Sequence, residues 1–168
     1  MSACRTSDAI APASPAASPQ PAVTQNATEA QPSEPAPVLP ESEIPDTPDN
    51  QRVIAFCERY RSALEARDAN QLVALASPRY RDDQGTPSAD DDVDHDALRK
   101  SLTRMLRGVQ SIRYEIRYRR ITREHGRIHV DYTYGATFVT NGTPHSRLDD
   151  AQLVLELHQD SFLILSGM

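Results

Sequence analysis

Residues 112–138 read IRYEIRYRRITREHGRIHVDYTYGATF, and this stretch decides the fold. Apolar and aromatic side chains alternate with polar ones on both sides of a turn at Glu124, His125 and Gly126. A β-sheet with one buried and one solvated face requires such a period of two. The sequence therefore predicts a hairpin of two long antiparallel strands. Its buried face would consist of Ile112, Tyr114, Ile116, Tyr118, Ile128, Val130, Tyr132, Tyr134, Ala136 and Phe138.

Four tyrosines lie on this predicted face, namely Tyr114, Tyr118, Tyr132 and Tyr134. A tyrosine hydroxyl that leaves water needs a hydrogen-bond partner, and a partly polar cavity supplies one more easily than a dry core. Tyr60, on the apolar face of the first predicted helix, would add a fifth ring. We therefore predict a ligand pocket lined by these five tyrosines.

Turn signals predict the rest of the sheet. Asn141 and Gly142 form the strongest short hairpin signal and end the second strand. A third strand is predicted over residues 146–158 and a fourth over residues 162–166, joined by a turn at Gln159 and Asp160. The sheet would thus be a four-stranded antiparallel meander.

Three helices are predicted before the sheet. The first begins near residue 50 with Asp49 or Asn50 as its N-cap, the second follows a cap at Asp68, and the third spans about residues 96–107 with Asp96 as its cap. The apolar face of the first helix would comprise Val53, Phe56, Cys57, Tyr60, Ala63 and Leu64, and its solvated face Arg52, Glu58, Arg61 and Glu65. Helices followed by strands indicate the α+β class.

Residues 1–49 differ from the other 119 in composition. They hold ten of the thirteen prolines, and their charged residues, one basic against seven acidic, account for the whole net charge of −6. Such a segment has too little apolar surface to offset the entropy of ordering it. We predict a disordered tether over 1–49 and a folded domain over 50–168. That domain has no net charge, so nucleic acid is not an expected partner.

The two cysteines have different interpretations. Cys57 lies on an apolar helix face and is predicted to be a small buried hydrophobe, because a catalytic thiolate needs an electropositive, partly open site. Met1, Ser2, Ala3 and Cys4, followed by the Pro/Ala/Ser-rich segment, resemble the cleavage site and spacer of bacterial lipoproteins. The resemblance implies lipidation of Cys4 and a location in the cell envelope if a signal segment lies upstream, and in the cytoplasm otherwise. A free cysteine in a disordered tail is the alternative.

Residues 77–96 form an acidic connection with aspartates at 82, 83, 90, 91, 92, 94 and 96. Clustered carboxylates suit calcium. However, an EF-hand loop that starts at Asp90 would need glycine in place of His95 and glutamate in place of Ser101. A solvated loop whose last aspartate caps the third helix is the simpler interpretation, and no metal or cofactor site is predicted.

Residues 50–168 resemble the nuclear transport factor 2-like superfamily, which includes SnoaL-like domains. The segments that carry the resemblance are YRSALEARDANQL at 60–72, ALRKSLTRMLR at 97–107 and DSFLILSGM at 160–168. The resemblance implies three helices packed on a curved four-stranded sheet that wraps the long helix into a cone. Members include isomerases, dehydratases, hydrolases, ligand carriers and interaction domains, so the fold alone does not fix an activity.

Enzymes of this fold place an acid or a base inside the cone, whereas the inward register here supplies tyrosines and neither carboxylate nor histidine. His129 and Asp131 lie two apart on one strand and could form a dyad, but they share the predicted outer face with Arg127. Glu156 and His158 raise the same question on the third strand. Charges that alternate across neighbouring strands are typical of a solvated face with cross-strand pairs.

The sequence therefore favours a tethered cell-envelope domain that binds a small apolar or amphipathic ligand, or a protein partner, in the tyrosine pocket. The first alternative is a lyase, isomerase or hydrolase that uses His129, Asp131 and a pocket tyrosine. The second is a structural homodimer through the outer sheet face. Contact with a membrane is expected only through a lipid on Cys4.

Overall fold

A computed structural model describes residues 42–83 and 92–168 of the chain. Three helices and six strands follow one another in these residues: α1 Pro48–Glu65, α2 Ala69–Leu75, β1 Arg81–Asp82, β2 Val93–Asp94, α3 His95–Arg107, β3 Val109–Glu124, β4 Arg127–Thr140, β5 Thr143–His158 and β6 Ser161–Ser166. The architecture is α+β, with the helices before the main strands. Residues 1–41 of the predicted tether, including Cys4, and residues 84–91 of the acidic connection lie outside the described residues.

The main sheet has four antiparallel strands in the order β3-β4-β5-β6, as the sequence predicted. Two turns set its register, because both central residues have positive φ: His125 and Gly126 at 51° and 76°, Asn141 and Gly142 at 52° and 77°. Such turns match the right-handed twist of the flanking strands. Three strands are longer than predicted, and β1 and β2 add a two-residue ladder within the connection that was expected to be a loop.

A β-bulge interrupts the long β3–β4 pair. Tyr118 lies opposite Tyr132 and Arg120 opposite Asp131, so Arg119 is an extra residue between the two pairs. The bulge shifts the alternation by one residue, which places Ile121 opposite Val130 and packs it against the core. A strict period of two would have directed Arg120 inward instead.

The core lies between α1 and one face of the sheet. Val53 and Cys57 of α1 are fully buried, as are Val130, Leu153 and Ile164 of the strands. Phe56 meets Phe162 of β6 edge to face, with ring centroids 5.8 Å apart. The described helices include none long and apolar enough to cross a membrane.

The first helix starts earlier than predicted. Thr47 is its N-cap and accepts a hydrogen bond from the backbone N–H of Asn50 at 3.3 Å, so Pro48 and Asp49 of the predicted tether are helical. Asn50 instead donates to the Pro45 carbonyl at 2.9 Å and accepts from Arg123 at 2.8 Å. Ile44 is 1% exposed. Residues 42–49 are therefore part of the described structure.

The third helix also has a different cap from the one predicted. The side chain of Asp94 accepts a hydrogen bond from the backbone N–H of Ala97 at 2.8 Å, and Asp96 lies in the first helical turn. The prediction that the last aspartate of the acidic connection caps α3 was therefore wrong by two residues. The predicted cap of α2 is confirmed, because Asp68 accepts from the N–H of Gln71 at 2.9 Å.

Residues 76–82 contact the last two strands and the C-terminal residues. Ala76 pairs with Ile164 in a parallel bridge, and the buried Ser77 donates its hydroxyl to Glu156 at 2.6 Å. Asp82 accepts a hydrogen bond from the backbone N–H of Gly167 at 2.8 Å. The C-terminal residues are thereby held against the domain.

Candidate functional site

The five tyrosines that the sequence singled out form one cluster between α1 and the sheet. Tyr60 meets Tyr114 edge to face at 6.4 Å between ring centroids, and Tyr114 stacks on Tyr134 at 5.1 Å. Tyr132 lies 6.3 Å from Tyr134. Tyr60, Tyr114 and Tyr132 are buried and act as packed core, whereas Tyr118 and Tyr134 are half-buried. A ligand could reach only these last two directly.

The buried hydroxyls stay protonated near neutral pH. Burial raises the pKa of Tyr60 well above its ordinary value and that of Tyr132 to about 12, although hydrogen bonds with Tyr114 and Tyr60 oppose the shift at Tyr132. Burial likewise raises the pKa of Tyr114 and of Tyr118. Tyrosinate is the basic form of this side chain, so these residues can donate hydrogen bonds but cannot serve as bases at pH 7.

A row of charged side chains on α1 adjoins the cluster, where the sequence predicted a solvated face. The Tyr118 hydroxyl donates to Glu58 Oε1 at 2.8 Å. Arg61 binds Glu58 at 2.6 Å and Glu65 at 2.8 Å, and Glu65 accepts the backbone N–H of Tyr114 at 2.9 Å. The prediction that Glu58 lies on a solvated helix face was therefore wrong, because its carboxylate accepts a hydrogen bond from Tyr118 at the edge of the cluster.

The sequence spacing of these three charged residues indicates that they pair with one another on α1. Glu58, Arg61 and Glu65 alternate in sign at steps of three and four, which predicts an ion-pair ladder on one helix face. It does not predict that the ladder meets β3. Arg61 pairs with both glutamates, and these glutamates in turn accept hydrogen bonds from Tyr118 and Tyr114 of β3, so the row links α1 to β3. The hydrogen bond to Glu58 raises the pKa of Arg61.

The tyrosine cluster continues into an exposed surface along β4 and β5. We call this surface the aromatic strip; it comprises Tyr134, Phe138, His145 and Arg147. The Arg147 guanidinium lies 5.9 Å from the centroid of the Tyr134 ring and pairs with Asp149 at 2.6 Å. Phe138 stacks on His145 at 5.2 Å. The strip thus offers aromatic faces with a cation beside them, and only its Tyr134 belonged to the predicted pocket.

His129 and Asp131 lie on the outer face, as predicted, but they do not form a dyad. Gln152 stands between them, since its Nε2 donates to Asp131 at 2.6 Å and its Oε1 lies 3.2 Å from His129 Nδ1. Arg120 also donates to Asp131, at 3.0 Å. The side chains of three neighbouring strands, β3, β4 and β5, are linked in this way. Asp131 borders an open cleft of about 1040 Å³ with Arg117, Tyr118, Asp150 and others.

Glu156 and His158, the second pair considered, are also separate. Glu156 is bound by Ser77 and Arg79 and serves as the anchor for the segment after α2. His158 is exposed at the end of β5. The sequence offered no signal for the Ser77 contact, because 79 positions separate it from Glu156 along the chain.

Cys57 is buried, as predicted, and burial raises the pKa of its thiol to about 12. Such a thiol is not nucleophilic at neutral pH. Within residues 42–83 and 92–168, no three His, Cys, Asp or Glu side chains converge as metal ligands would. Of the acidic connection, Asp92 pairs with Arg81 and Asp94 caps α3.

The structure is similar to several solved structures. It matches a candidate dehydratase of the nuclear transport factor 2-like family from Streptomyces avermitilis with a TM-score of 0.60 and 15% identity, covering 72% of this chain and 95% of that one. It matches a candidate aromatic ring hydroxylase from Novosphingobium aromaticivorans with a TM-score of 0.60 and 12% identity, over 71% and 93%. A candidate calcium/calmodulin-dependent protein kinase type II association domain from Thiobacillus denitrificans gives 0.54 and 15%, over 78% and 94%.

The domain therefore has the nuclear transport factor 2-like fold, as the resemblance in the sequence predicted. At these identities the similarity establishes the fold alone. No protein-family model matches the sequence, and a search of curated proteins finds no match.

Proposed function

We propose that this domain binds a small apolar or amphipathic molecule at the aromatic strip, on the open side of the tyrosine cluster. The observation that carries the proposal is the stack that runs from buried Tyr114 to half-buried Tyr134 and ends beside Arg147. A planar or apolar ligand on Tyr134 would extend this stack, and its polar end would meet the guanidinium. Ligand sites are mostly apolar with a few placed polar groups, and the strip has that composition.

Binding is favoured over catalysis because the groups near the cluster are poor acid–base catalysts. The buried tyrosines remain protonated, Glu58 is held by Arg61, and the outer His129 and Asp131 are separated by Gln152. Two of the similar structures are candidates for a dehydratase and an aromatic ring hydroxylase, classes that act on small molecules. That similarity supports a small-molecule site on the fold rather than either reaction.

The test is to identify what co-purifies with the full chain by mass spectrometry and to titrate the stripped protein with 1-anilinonaphthalene-8-sulfonate, an amphipathic aromatic probe. Tyr134→Ala should weaken binding of the probe by about tenfold, since it removes the accessible aromatic face. Leu148→Ala, at a residue 78% exposed on the opposite face of the sheet, is the control and should bind normally. Equal affinity in both variants would contradict the proposal.

We further propose that the domain is tethered to the cell envelope by lipid on Cys4. The support is the sequence alone: Ala3 before Cys4, followed by the proline-rich segment that precedes the domain. Expressed from its native gene, the protein should fractionate with membranes, and Cys4→Ser should release it to the soluble fraction. Unlipidated protein in the soluble fraction would refute the anchor without affecting the ligand site.

A homodimer through the outer sheet face stays a prediction, which sedimentation would test.

A further inference from the structure

A second cleft, of about 560 Å³, lies between α2, α3 and the β5–β6 hairpin. None of its lining residues belongs to the tyrosine cluster or to the aromatic strip. We call it the α2–α3 cleft. Its apolar lining residues include Val73, Pro78 and Leu163. Its polar lining residues, which we call the rim residues, are Asn70, His95, Arg99 and His158.

Local structure explains why these rim residues converge. His95 is the first residue of α3 and Arg99 lies one turn later, so the two side chains are neighbours on one helix face. Asn70 and Val73 are three apart on α2, which presents a polar and an apolar side chain to the same space. His158 ends β5, where the turn into β6 brings it near Leu163.

The electrostatic character of the cleft is one-sided. Every rim side chain can donate a hydrogen bond through nitrogen, and no carboxylate of the described residues lines the cleft. The nearest acid on β5, Glu156, is already bound by Ser77 and Arg79. Asp94 accepts the N–H of Ala97, and Asp96, adjacent to His95, does not line the cleft. Arg99 takes part in none of the ion pairs among the described residues.

We propose that the α2–α3 cleft binds a small aliphatic carboxylic acid as its anion. Arg99 offers the planar pair of donors that matches a carboxylate, and His95, His158 and Asn70 can supply further hydrogen bonds. The alkyl chain lies along Val73, Pro78 and Leu163. A cleft of this volume is large enough for a short chain, and apolar walls with a few polar groups are usual for such ligands.

The experiment titrates the ¹⁵N-labelled full chain with hexanoate and follows backbone amide shifts. The amides of Val73, His95, Arg99 and Leu163 should move together, and hexan-1-ol, which has the same chain without the charge, should bind at least about tenfold more weakly. Arg99→Gln should weaken hexanoate by at least about tenfold, because it removes a charged hydrogen-bond pair. Arg104→Gln, an exposed cation on the same helix that does not line the cleft, should bind as the wild type does.

Equal binding by the Arg99 and Arg104 variants, or equal binding of hexanoate and hexan-1-ol, would overturn the proposal. So would shifts confined to Tyr134 and Phe138, because hexanoate would then occupy the aromatic strip. A synthetic peptide of residues 24–43 tests the chain's own acidic segment as occupant. If that peptide shifts the cleft amides and hexanoate does not, the aliphatic-acid proposal is wrong. The α2–α3 cleft and the aromatic strip share no residue, so a negative result for one proposal does not count against the other.

Discussion

Among the glycines that the structure describes, Gly167 has the least room for a side chain. Its φ is +92°, and a Cβ at this position would lie 1.9 Å from the carbonyl oxygen of Gln152. Gly167→Ala should therefore destabilise the domain by at least about 2 kcal/mol, through both backbone strain and a clash that requires β5 or β6 to move. The free energy of unfolding in urea measures this.

Gly135→Ala is the matched control for that substitution. A Cβ at Gly135 meets nothing within 4 Å, and its backbone has no positive φ that would strain alanine. We expect its free energy of unfolding to stay within about 0.5 kcal/mol of the wild type. Comparable losses in the two glycine variants would show that the close approach to Gln152 is not the cause.

Among the five clustered tyrosines, Tyr118 is the one whose hydroxyl donates to a carboxylate, Glu58 at 2.8 Å. Tyr118→Phe removes that bond from a half-buried carboxylate, so we expect a loss of about 1–2 kcal/mol in the free energy of unfolding. Tyr134→Phe should cost less than about 0.5 kcal/mol, because among the described residues the Tyr134 hydroxyl is influenced by burial and nearby charges and by no hydrogen bond. Chemical denaturation of the two variants side by side checks the difference. Identical stabilities would mean that the Glu58 bond contributes nothing.

At this scale the sequence predicts which residues face inward better than it predicts their partners. Period-two alternation placed all four strand tyrosines on the helix-facing side, because each step along a strand reverses the side chain. The sequence pattern did not predict that Glu58 contacts the sheet. An apolar stripe distinguishes the buried face of a helix from its solvated face, but it does not show which element packs beside the boundary between the two faces. That boundary here lies against β3.

On the outer face of the sheet, side chains link adjacent strands, and Asp131 of β4 accepts hydrogen bonds from Arg120 of β3 and Gln152 of β5. Burial alone would raise the pKa of this carboxyl, but hydrogen bonds from Gln152 and Arg120 outweigh it, so the pKa of Asp131 is lower than its ordinary value. A group whose pKa is depressed on folding stabilises the fold above its unfolded pKa of about 3.9, and that contribution is lost as the pH falls through the folded pKa.

Asp131→Asn should therefore reduce the free energy of unfolding by about 1 kcal/mol near neutral pH. The difference from the wild type should shrink progressively below about pH 4, where the carboxyl is protonated first in the unfolded chain and, at lower pH, in the folded protein. Denaturation series across pH measure it, with Asp160→Asn as the control, because the Asp160 carboxylate makes no bond to described residues. Probe binding at the aromatic strip should not change, since Asp131 lies on the other face. A difference independent of pH would contradict this account.

At the scale of elements, the four strands and three helices followed from alternation, caps and turn residues. The bulge at Arg119 did not, because Arg119 and Arg120 have the same chemistry and neither is marked as the extra residue. The β1–β2 ladder was missed for another reason: a two-residue strand is too short to show a period. Its position depends on the contacts that Arg81 and Asp82 make with residues distant in the chain.

At the scale of the molecule, composition separates a proline-rich acidic segment from a neutral domain but places their boundary only roughly. Residues 42–49 have the composition of the tether, yet Ile44 is buried and Thr47 caps α1. A single apolar residue among prolines has no periodic pattern, so burial of Ile44 could not be predicted from the sequence. The domain boundary proposed at residue 50 therefore belongs before Ile44.

Two truncations test that boundary. Deletion of residues 1–41 should leave the free energy of unfolding within about 0.5 kcal/mol of the full chain, because this segment is too poor in apolar side chains to contribute a core. Deletion of residues 1–47 also removes the Ile44 side chain, which is 1% exposed, and the Thr47 cap. Loss of a buried isoleucine costs about 2–5 kcal/mol and loss of a cap about 1 kcal/mol, so this variant should be strongly destabilised or unfolded. Ile44→Ala in the full chain isolates the first contribution and should account for most of the difference. If deletion of residues 1–41 alone cost more than about 1 kcal/mol, the segment would have to contact the domain, and the tether proposal would fail.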